Sequence, residues 1–233
     1  MTTRVLVYQH LATDGPGFIG EAFLSRGAAL DICHVYQGDA VGDPTGYDAL
    51  LVMGGDMNVY QEEQFPWLAE ETRLMRQAAL AGQAVLGICL GGQLLARALD
   101  TTVHLGGAPE IGLTEITLND AGRADPLFGG LPTLEAVVWH DDTFDIPSGA
   151  VALGESAGCA NQAFRFGERT YGLQFHPEVN PEMLEAWISA APPSVSPVDQ
   201  QALRAHFTRK VDSLKTQADR LAANFLRLLA RPA

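Results

Sequence analysis

Positive charge is scarce in this chain, and its scarcity limits the partners that the protein can bind. Lys and Arg together number 15 against 28 Asp and Glu, so the formal net charge of the 233 residues is −13. A surface of this charge repels phosphate backbones and anionic lipid headgroups. We therefore expect neither a nucleic acid nor a membrane as a partner.

Cysteine and long apolar runs are also in short supply. The three cysteines, Cys33, Cys89 and Cys159, are odd in number and follow no zinc-ligand spacing, which argues against a disulfide framework and a structural metal. No apolar run approaches the ~20 residues that cross a membrane, and the N-terminal apolar stretch is too short for a secretory signal peptide. We expect a cytoplasmic protein with no metal or other cofactor.

What the chain has is enough apolar material for one sizeable domain, since 47% of its residues are hydrophobic. Up to about residue 100, helical patterns over 18–27, 65–82 and 92–100 alternate with short apolar segments. Those segments are "RVLVYQ", "ALDICHVY", "YDALLVMGG" and "QAVLGI". This alternation predicts βαβ units built on a parallel sheet.

The pattern changes after residue 100, where strand-like segments follow one another across short polar turns. They are "TTVHL", "LTEITLN", "LEAVVWH", "AVALGES", "NQAFRFG" and "TYGLQFH". Such a run favours an antiparallel extension of the same sheet. A further helix is predicted over 181–190.

The last part of the chain predicts a linker followed by one amphipathic helix. Apolar residues recur at helical spacing after the proline-rich stretch "APPSVSPVDQ". They are Leu203, Phe207, Val211, Leu214, Ala218, Leu221, Phe225 and Leu228. We divide the chain into a domain over 1–192 and a linker with a C-terminal helix over 193–233. The apolar stripe is expected to pack on the domain, and contact between two copies in a homodimer is the alternative.

The stretch "GICLGGQLLA" places Cys89 between a predicted strand and a predicted helix. The spacing of Gly87, Cys89 and Gly91 parallels the G-x-S-x-G turn that projects a nucleophile from the end of a strand. Free N–H groups at the start of the helix favour a thiolate, and the N–H of Leu90 could face a developing oxyanion. A buried structural cysteine is the alternative, and this stretch alone does not decide between them.

Two other stretches could complete such a site. In "GLQFHPEV", His176 and Glu178 lie on the same side of an extended chain, so the carboxylate could orient the imidazole toward a thiol. In "VMGGDMNVY", bare backbone at Gly54 and Gly55 could approach a substrate, with the Gly55 N–H as a second oxyanion donor. The alternatives are a surface histidine and glutamate at a strand end and an ordinary turn.

Together these motifs resemble the class I, triad-type glutamine amidotransferase domain. The resemblance is carried by "GICLGGQLLA", by "GLQFHPE" and by the two glycines after the third strand. "PEIG", "DPLF", "WHDDTFDIP" and "NQAFRFG" make the chain similar to stand-alone proteins that are like the amidotransferase domain of GMP synthetase. The resemblance covers residues 1 to about 190.

The resemblance implies a fold and a set of catalytic groups. The fold would be a flavodoxin-like, three-layer α/β/α sandwich with a mostly parallel central sheet and an antiparallel extension. Cys89 would be the nucleophile, His176 the general acid and base, and Glu178 its orienting partner. The backbone of Gly55 and Leu90 would form the oxyanion hole.

The resemblance also implies which residues hold the substrate. Gln93, one helical turn after the cysteine, and a loop formed by Trp139, His140, Asp141 and Asp142 would close around the amino-acid end of glutamine. Asp141 stands where the family usually has glycine, so it bears on substrate preference. No further ligands accompany the aspartate pair at metal spacing, and we predict no metal there.

Three functions follow from these residues. The first is hydrolysis of glutamine, with ammonia passed to a synthetase on a separate polypeptide, because the chain shows no glycine-rich phosphate loop. The second is a γ-glutamyl peptidase or hydrolase that acts on γ-glutamyl peptides or amines. The third is a non-catalytic protein that regulates or binds a partner. Asp56, where the family commonly has proline, bears on the choice of leaving group.

The remaining aromatic and histidine residues are assigned lesser roles. Trp67 and Trp187 are predicted to face the core from their helices, and His34 and His104 are predicted to be structural. His10 directly follows the first strand and is a weaker candidate for lining the site.

Overall fold

The computed structural model describes residues 2–131 and 133–230, which form one nine-stranded sheet with helices on both faces. The strands are β1 (Arg4–Gln9), β2 (Ala29–His34), β3 (Ala49–Val52), β4 (Ala84–Ile88), β5 (Val103–Leu118), β6 (Leu134–Phe144), β7 (Ala150–Glu155), β8 (Ala163–Phe166) and β9 (Thr170–Leu173). The helices are α1 (Gly17–Ser25), α2 (Trp67–Leu80), α3 (Leu90–Ala98), α4 (Asp120–Ala124), α5 (Pro181–Ser189) and α6 (Pro197–Leu229).

The strand order β2-β1-β3-β4-β9-β8-β7-β5-β6 divides the sheet into two halves. The pairs from β2 through β9 are parallel, and the pairs from β9 to β6 are antiparallel. Successive strand residues face opposite sides, so Val5 and Val7 pack with α1 and α6, whereas Leu6 and Tyr8 pack with α2 and α3. The predicted three-layer α/β/α fold is confirmed.

The antiparallel half differs from the prediction in one strand. "TTVHL" and "LTEITLN" belong to a single long strand, β5, and are not two strands. The glycine-rich stretch between them looks like a turn in the sequence, yet it lies within this strand. A register shift between Leu105 and Glu110 in the pairing with β6 absorbs the irregularity, as a β-bulge does. The short helix α4 was not predicted.

Helix α6 packs against the rest of the chain through buried residues that run from Leu203 to Leu228. Its C-terminal half shares one apolar core with β1 and α1, and its N-terminal half packs on α5. Arg26, directly after α1, forms a two-pronged ion pair with Asp219 of α6 at 2.7 Å. The division of the chain at residue 192 stays a prediction, as does a dimer contact. Residues 231–233, within the predicted C-terminal segment, lie outside the described residues.

Backbone contacts are unusually close where β4 turns into α3. A Cβ on Gly87 would lie 2.4 Å from the Gly91 oxygen, and a Cβ on Gly91 would lie 2.2 Å from the Val52 oxygen. A Cβ on Gly92 would lie 2.6 Å from the Leu173 oxygen. The Val52 and Leu173 oxygens belong to strand backbone that cannot move aside without disturbing the sheet. The glycines of "GICLGG" therefore let helix α3 sit directly on β3 and β9.

We predict that Gly91→Ala lowers the free energy of unfolding by roughly 1–3 kcal/mol, because the new methyl group overlaps the Val52 carbonyl. Urea denaturation followed by circular dichroism measures the change. Gly46→Ala is the matched control: Gly46 is not buried and its Cβ would meet nothing within 4 Å. Equal stability of the two variants would contradict the close-packing argument.

Candidate active site

Cys89 lies at the turn between β4 and α3 in a conformation that residues other than glycine rarely adopt. Its φ is +51° and its ψ is −107°. Backbone strain of this kind costs about 1–3 kcal/mol and persists only where neighbouring contacts impose it. Here the Cys89 N–H donates to the Leu173 oxygen at 2.8 Å, and the Gly91 N–H donates to the Met53 oxygen at 3.1 Å. The side chain is buried, with the residue 6% exposed.

His176 and Glu178 form a buried pair beside this thiol. The His176 Nδ1 atom lies 2.8 Å from Glu178 Oε1. The imidazole and Cys89 both border Gly54, since a Cβ there would lie 3.0 Å from His176 Cε1 and 3.7 Å from Cys89 Cβ. Burial lowers the pKa of His176, but the Glu178 carboxylate and the Cys89 sulfur together raise that pKa well above its ordinary value. The pair is therefore arranged to hold a proton close to the sulfur.

Neighbouring elements fix the orientation of this imidazole. Strand β9 ends at Leu173, earlier than predicted, and the His176 N–H donates to the Val137 oxygen of β6 at 2.8 Å. The Trp187 ring meets the imidazole edge to face at a centroid distance of 4.7 Å. Its Nε1 atom donates to Asp14 Oδ1 at 2.9 Å. Trp187 was predicted only as a core residue, but it borders the candidate site.

Gln174 is a member of the site that the sequence analysis missed. It is fully buried, and its Nε2 atom lies 3.6 Å from the Cys89 sulfur. Its Oε1 atom accepts from Gln93 Nε2 at 3.3 Å. In "GLQFHPE", Gln174 precedes His176 by two positions, just as His176 precedes Glu178. The alternation that linked His176 to Glu178 could therefore also have identified this amide.

The predicted substrate loop from Trp139 to Asp142 is instead part of strand β6. Trp139 pairs with Ile111 and His140 pairs with Glu110 in β5. The consecutive polar residues from His140 to Thr143 look like a loop in the sequence, and pairing with β5 holds them in an extended strand. The loop interpretation was therefore wrong, although hydrogen bonds join the segment to the start of α3.

Among the predicted substrate residues, Gln93 is connected to the Cys89 sulfur through a hydrogen bond to Gln174. Gln93 Nε2 donates to the backbone oxygen of Asp142 at 3.1 Å, which ties helix α3 to β6. The Asp142 carboxylate accepts a hydrogen bond from Asn58 Nδ2, so it links β6 to the segment after Gly55. Asp141 is exposed to solvent, and Trp139 packs edge to face against Trp187.

His140 belongs to a polar cluster behind this segment. Its Nε2 atom lies 3.1 Å from Glu110 Oε2, which also accepts from Gln162 Nε2 at 2.7 Å. Ligand atoms of Glu110, His140 and Cys159 all lie within 4.8 Å of one another, so these three residues could hold a metal ion. Sequence spacing did not indicate this trio because distant segments supply it. The Glu110 carboxylate is already hydrogen-bonded to His140, Gln162 and Ser156.

Gly55 and Leu90, the two residues predicted to supply oxyanion donors, lie next to each other. A Cβ on Gly54 would lie 3.0 Å from His176 Cε1, and a Cβ on Gly55 would lie 2.9 Å from Leu90 Cδ2. The glycine pair therefore approaches both the imidazole and the start of α3. Within residues 2–131 and 133–230, neither the Gly55 N–H nor the Leu90 N–H donates a hydrogen bond.

Comparison with known proteins identifies the family of the chain. Residues 19–188 match the family described as glutamine amidotransferase class-I. The chain is 36% identical over 169 residues to YfeJ of Salmonella typhimurium, a putative glutamine amidotransferase-like protein, and the match covers 70% of each chain. It is 35% identical over 136 residues to a subunit of the glutamine-hydrolysing GMP synthase of Sulfurisphaera tokodaii, covering 57% of this chain and 68% of that one.

A solved structure extends the likeness over nearly the whole chain. The glutamine amidotransferase of Thermotoga maritima superposes with a TM-score of 0.88 at 28% identity, covering 99% of this chain and 100% of that one. This protein belongs to the class I glutamine amidotransferase family. None of its described helices is both long and apolar enough to cross a membrane.

We predict that Glu178→Gln moves the titration of His176 to lower pH. The variant removes the negative charge that raises the pKa of His176, while the burial that lowers it remains. NMR of the His176 Cε1–H resonance against pH measures the change. Glu182→Gln is the matched control, since Glu182 is exposed in the first turn of α5. An unchanged titration in Glu178→Gln would show that the carboxylate does not govern this imidazole.

Proposed function

We propose that this protein hydrolyses the γ-amide of glutamine, or of another γ-glutamyl compound, with Cys89 as nucleophile and His176 as general acid and base. The observation that carries the proposal is the strained turn that holds the Cys89 sulfur against a buried imidazole and carboxylate. Membership of the class I glutamine amidotransferase family supports the γ-amide as the bond that is broken.

In the first half of the reaction, the Cys89 thiolate attacks the γ-carbonyl carbon and a carbon–sulfur bond forms. The N–H groups of Gly55 and Leu90 stabilise the oxyanion, an arrangement worth about 10²–10³ in kcat for each donor. His176, held as a proton donor by Glu178, protonates the departing nitrogen as the carbon–nitrogen bond breaks. Ammonia leaves, and a γ-glutamyl thioester remains on Cys89.

In the second half, water attacks the thioester carbon and gives a proton to His176. The carbon–sulfur bond breaks, glutamate leaves, and the thiolate is restored. The Gln174 amide, 3.6 Å from the sulfur, is placed to donate to the thiolate at both ends of the cycle. Apart from the substrate and water, every group in these steps belongs to the chain itself.

The amino-acid end of the substrate is assigned to the space bordered by Gln93 and by the segment from Trp139 to Asp142. The contact between Asn58 and Asp142 joins the two segments that face this space. In this proposal the exposed carboxylate of Asp141 attracts the α-ammonium group of a free amino acid or of a γ-glutamyl compound.

A separate synthetase polypeptide is the acceptor that we propose for the ammonia. The Sulfurisphaera tokodaii relative is named as one subunit of a GMP synthase, which motivates this partner class. The γ-glutamyl peptidase or hydrolase is the second candidate. It differs from the first only in its leaving group, an amine in place of ammonia.

Trapping with 6-diazo-5-oxo-norleucine, a glutamine-like electrophile, tests the nucleophile. We expect one adduct per chain, located on Cys89 by peptide mapping and prevented by excess glutamine. Cys89→Ala should form no adduct and lose at least about 10⁴-fold in turnover. Cys33→Ser is the matched control, because Cys33 is a buried thiol in β2 that donates to the Ala40 oxygen at 2.8 Å.

Release assays run beside the trapping choose between the functions. Ammonia from glutamine supports the glutaminase, and free amine from γ-glutamyl peptides or amines supports the hydrolase. Labelling of the folded protein at residues other than Cys89, or glutamine turnover retained by Cys89→Ala, would overturn the proposed nucleophile. A folded protein that neither labels nor turns over any of these compounds would favour the non-catalytic function.

A further inference from the structure

A buried histidine and glutamate lie on the far side of the glycine pair from the catalytic imidazole. His10, just after β1, and Glu71, in α2, both have side chains with 0% exposure. His10 Nδ1 lies 2.9 Å from the Gly54 oxygen, and His10 Nε2 lies 3.0 Å from Glu71 Oε2. The mechanism above uses neither residue.

The proton on Nδ1 is fixed by the chemistry of its partner. A backbone carbonyl can only accept a hydrogen bond, so His10 Nδ1 must carry the hydrogen and donate it to Gly54. Glu71 secures this arrangement in either ionisation state: as a carboxylate it accepts from a doubly protonated ring, and as an acid it donates to Nε2. Burial lowers the pKa of His10, but Glu71 raises it to a net value above the ordinary one, which favours the doubly protonated ring.

The peptide that His10 holds is the one that carries the Gly55 N–H. The Gly54 oxygen and the Gly55 N–H belong to a single peptide unit, and in a trans peptide they point in opposite directions. The described chain has no cis peptide bond. A carbonyl held toward His10 therefore directs the N–H away from His10. The same peptide borders the site, because a Cβ on Gly54 would lie 3.0 Å from His176 Cε1 and 3.7 Å from Cys89 Cβ. Glycine at both positions would otherwise let this peptide rotate easily.

We propose that His10 is a positioning residue that locks the Gly54–Gly55 peptide with its N–H directed into the oxyanion hole, and that Glu71 holds His10 in that role. This inference rests on the proposed function, because it assigns a purpose to an oxyanion donor. The clamp acts through the peptide only, since His10 itself contacts no reacting atom.

The surroundings of the pair suit a rigid clamp. The His10 ring stacks on Trp67 at a centroid distance of 5.1 Å and an interplanar angle of 14°. Glu71 Oε1 has no hydrogen-bond partner among the described residues, so His10 is what this buried carboxylate faces. Burying a carboxylate with so few partners costs free energy. In return, the buried Glu71 carboxylate fixes the orientation of the His10 imidazole.

Two substitutions of His10 separate the clamp from simple packing. In His10→Asn the side-chain amide nitrogen occupies the place of Nδ1 and still donates to Gly54. In His10→Gln the amide nitrogen occupies the place of Nε2, which faces Glu71 and leaves the Gly54 oxygen without its donor. Both variants are uncharged and both lose the stacking on Trp67, so each is the control for the other.

Turnover of L-glutamine and of L-γ-glutamyl-p-nitroanilide is measured for both variants, with alkylation of Cys89 by iodoacetamide alongside. We expect His10→Gln to lose about 10²-fold in kcat with little change in KM, which is the effect of losing one oxyanion donor. His10→Asn should stay close to the wild-type protein. Alkylation needs no oxyanion hole, so its rate should be alike in all three proteins.

Crystal structures of the two variants supply a readout that needs no turnover. We expect the Gly54 carbonyl to point at residue 10 in His10→Asn and to be rotated or disordered in His10→Gln. Equal kcat for the two variants, or an unchanged peptide in His10→Gln, would overturn the clamp. A wild-type protein inert toward both compounds would count against the proposed function, and the crystal structures would still decide the inference.

Discussion

Backbone packing around Cys89 is the constraint on which the rest of the site depends. The cysteine keeps a φ of +51° because hydrogen bonds to the Met53 and Leu173 oxygens, at the ends of β3 and β9, hold the turn from both sides. Side chains larger than hydrogen at Gly91 and Gly92 would push α3 off these strands. The same turn directs the sulfur toward His176 and leaves the Leu90 N–H at the start of the helix. One local conformation thus sets the place of the nucleophile and of an oxyanion donor.

Two buried histidine–carboxylate pairs lie on either side of the glycine pair that follows β3. His176 with Glu178 faces the sulfur, and His10 with Glu71 faces the Gly54 carbonyl. Each carboxylate has one oxygen without a hydrogen-bond partner among the described residues. Apolar residues would fill this volume at lower cost. In the proposed mechanism, one pair holds the proton that is transferred and the other holds the peptide whose N–H faces the negative charge.

Much of the fold could be predicted because periodicity and turn residues report on local structure. The first four parallel strands, their helices and the amphipathic stripe of α6 are strongly patterned, and family membership is carried by short motifs around Cys89 and His176. The continuity of β5 could not be predicted, since its glycines and proline look like a turn until β6 supplies the pairing. The segment Trp139–Asp142 was wrongly interpreted as a loop for the same reason.

The site was predictable where its residues lie in contiguous motifs and unpredictable where the tertiary fold assembles it. Gln174 lies within a motif and could have been identified from its alternation with His176. Glu71 could not, because its position on α2 gives no sign that it faces His10 across 61 residues of sequence. Glu110 likewise meets His140 only through the pairing of β5 with β6.

The central claim is that Cys89 forms a γ-glutamyl thioester, and the most direct test is to isolate that intermediate. The protein is mixed with L-γ-glutamyl-p-nitroanilide, quenched in acid within one turnover, and its intact mass and peptides are measured. We predict a mass increase of one γ-glutamyl group on the peptide that contains Cys89, which hydroxylamine removes. Release of p-nitroaniline without any adduct on Cys89 would contradict the account.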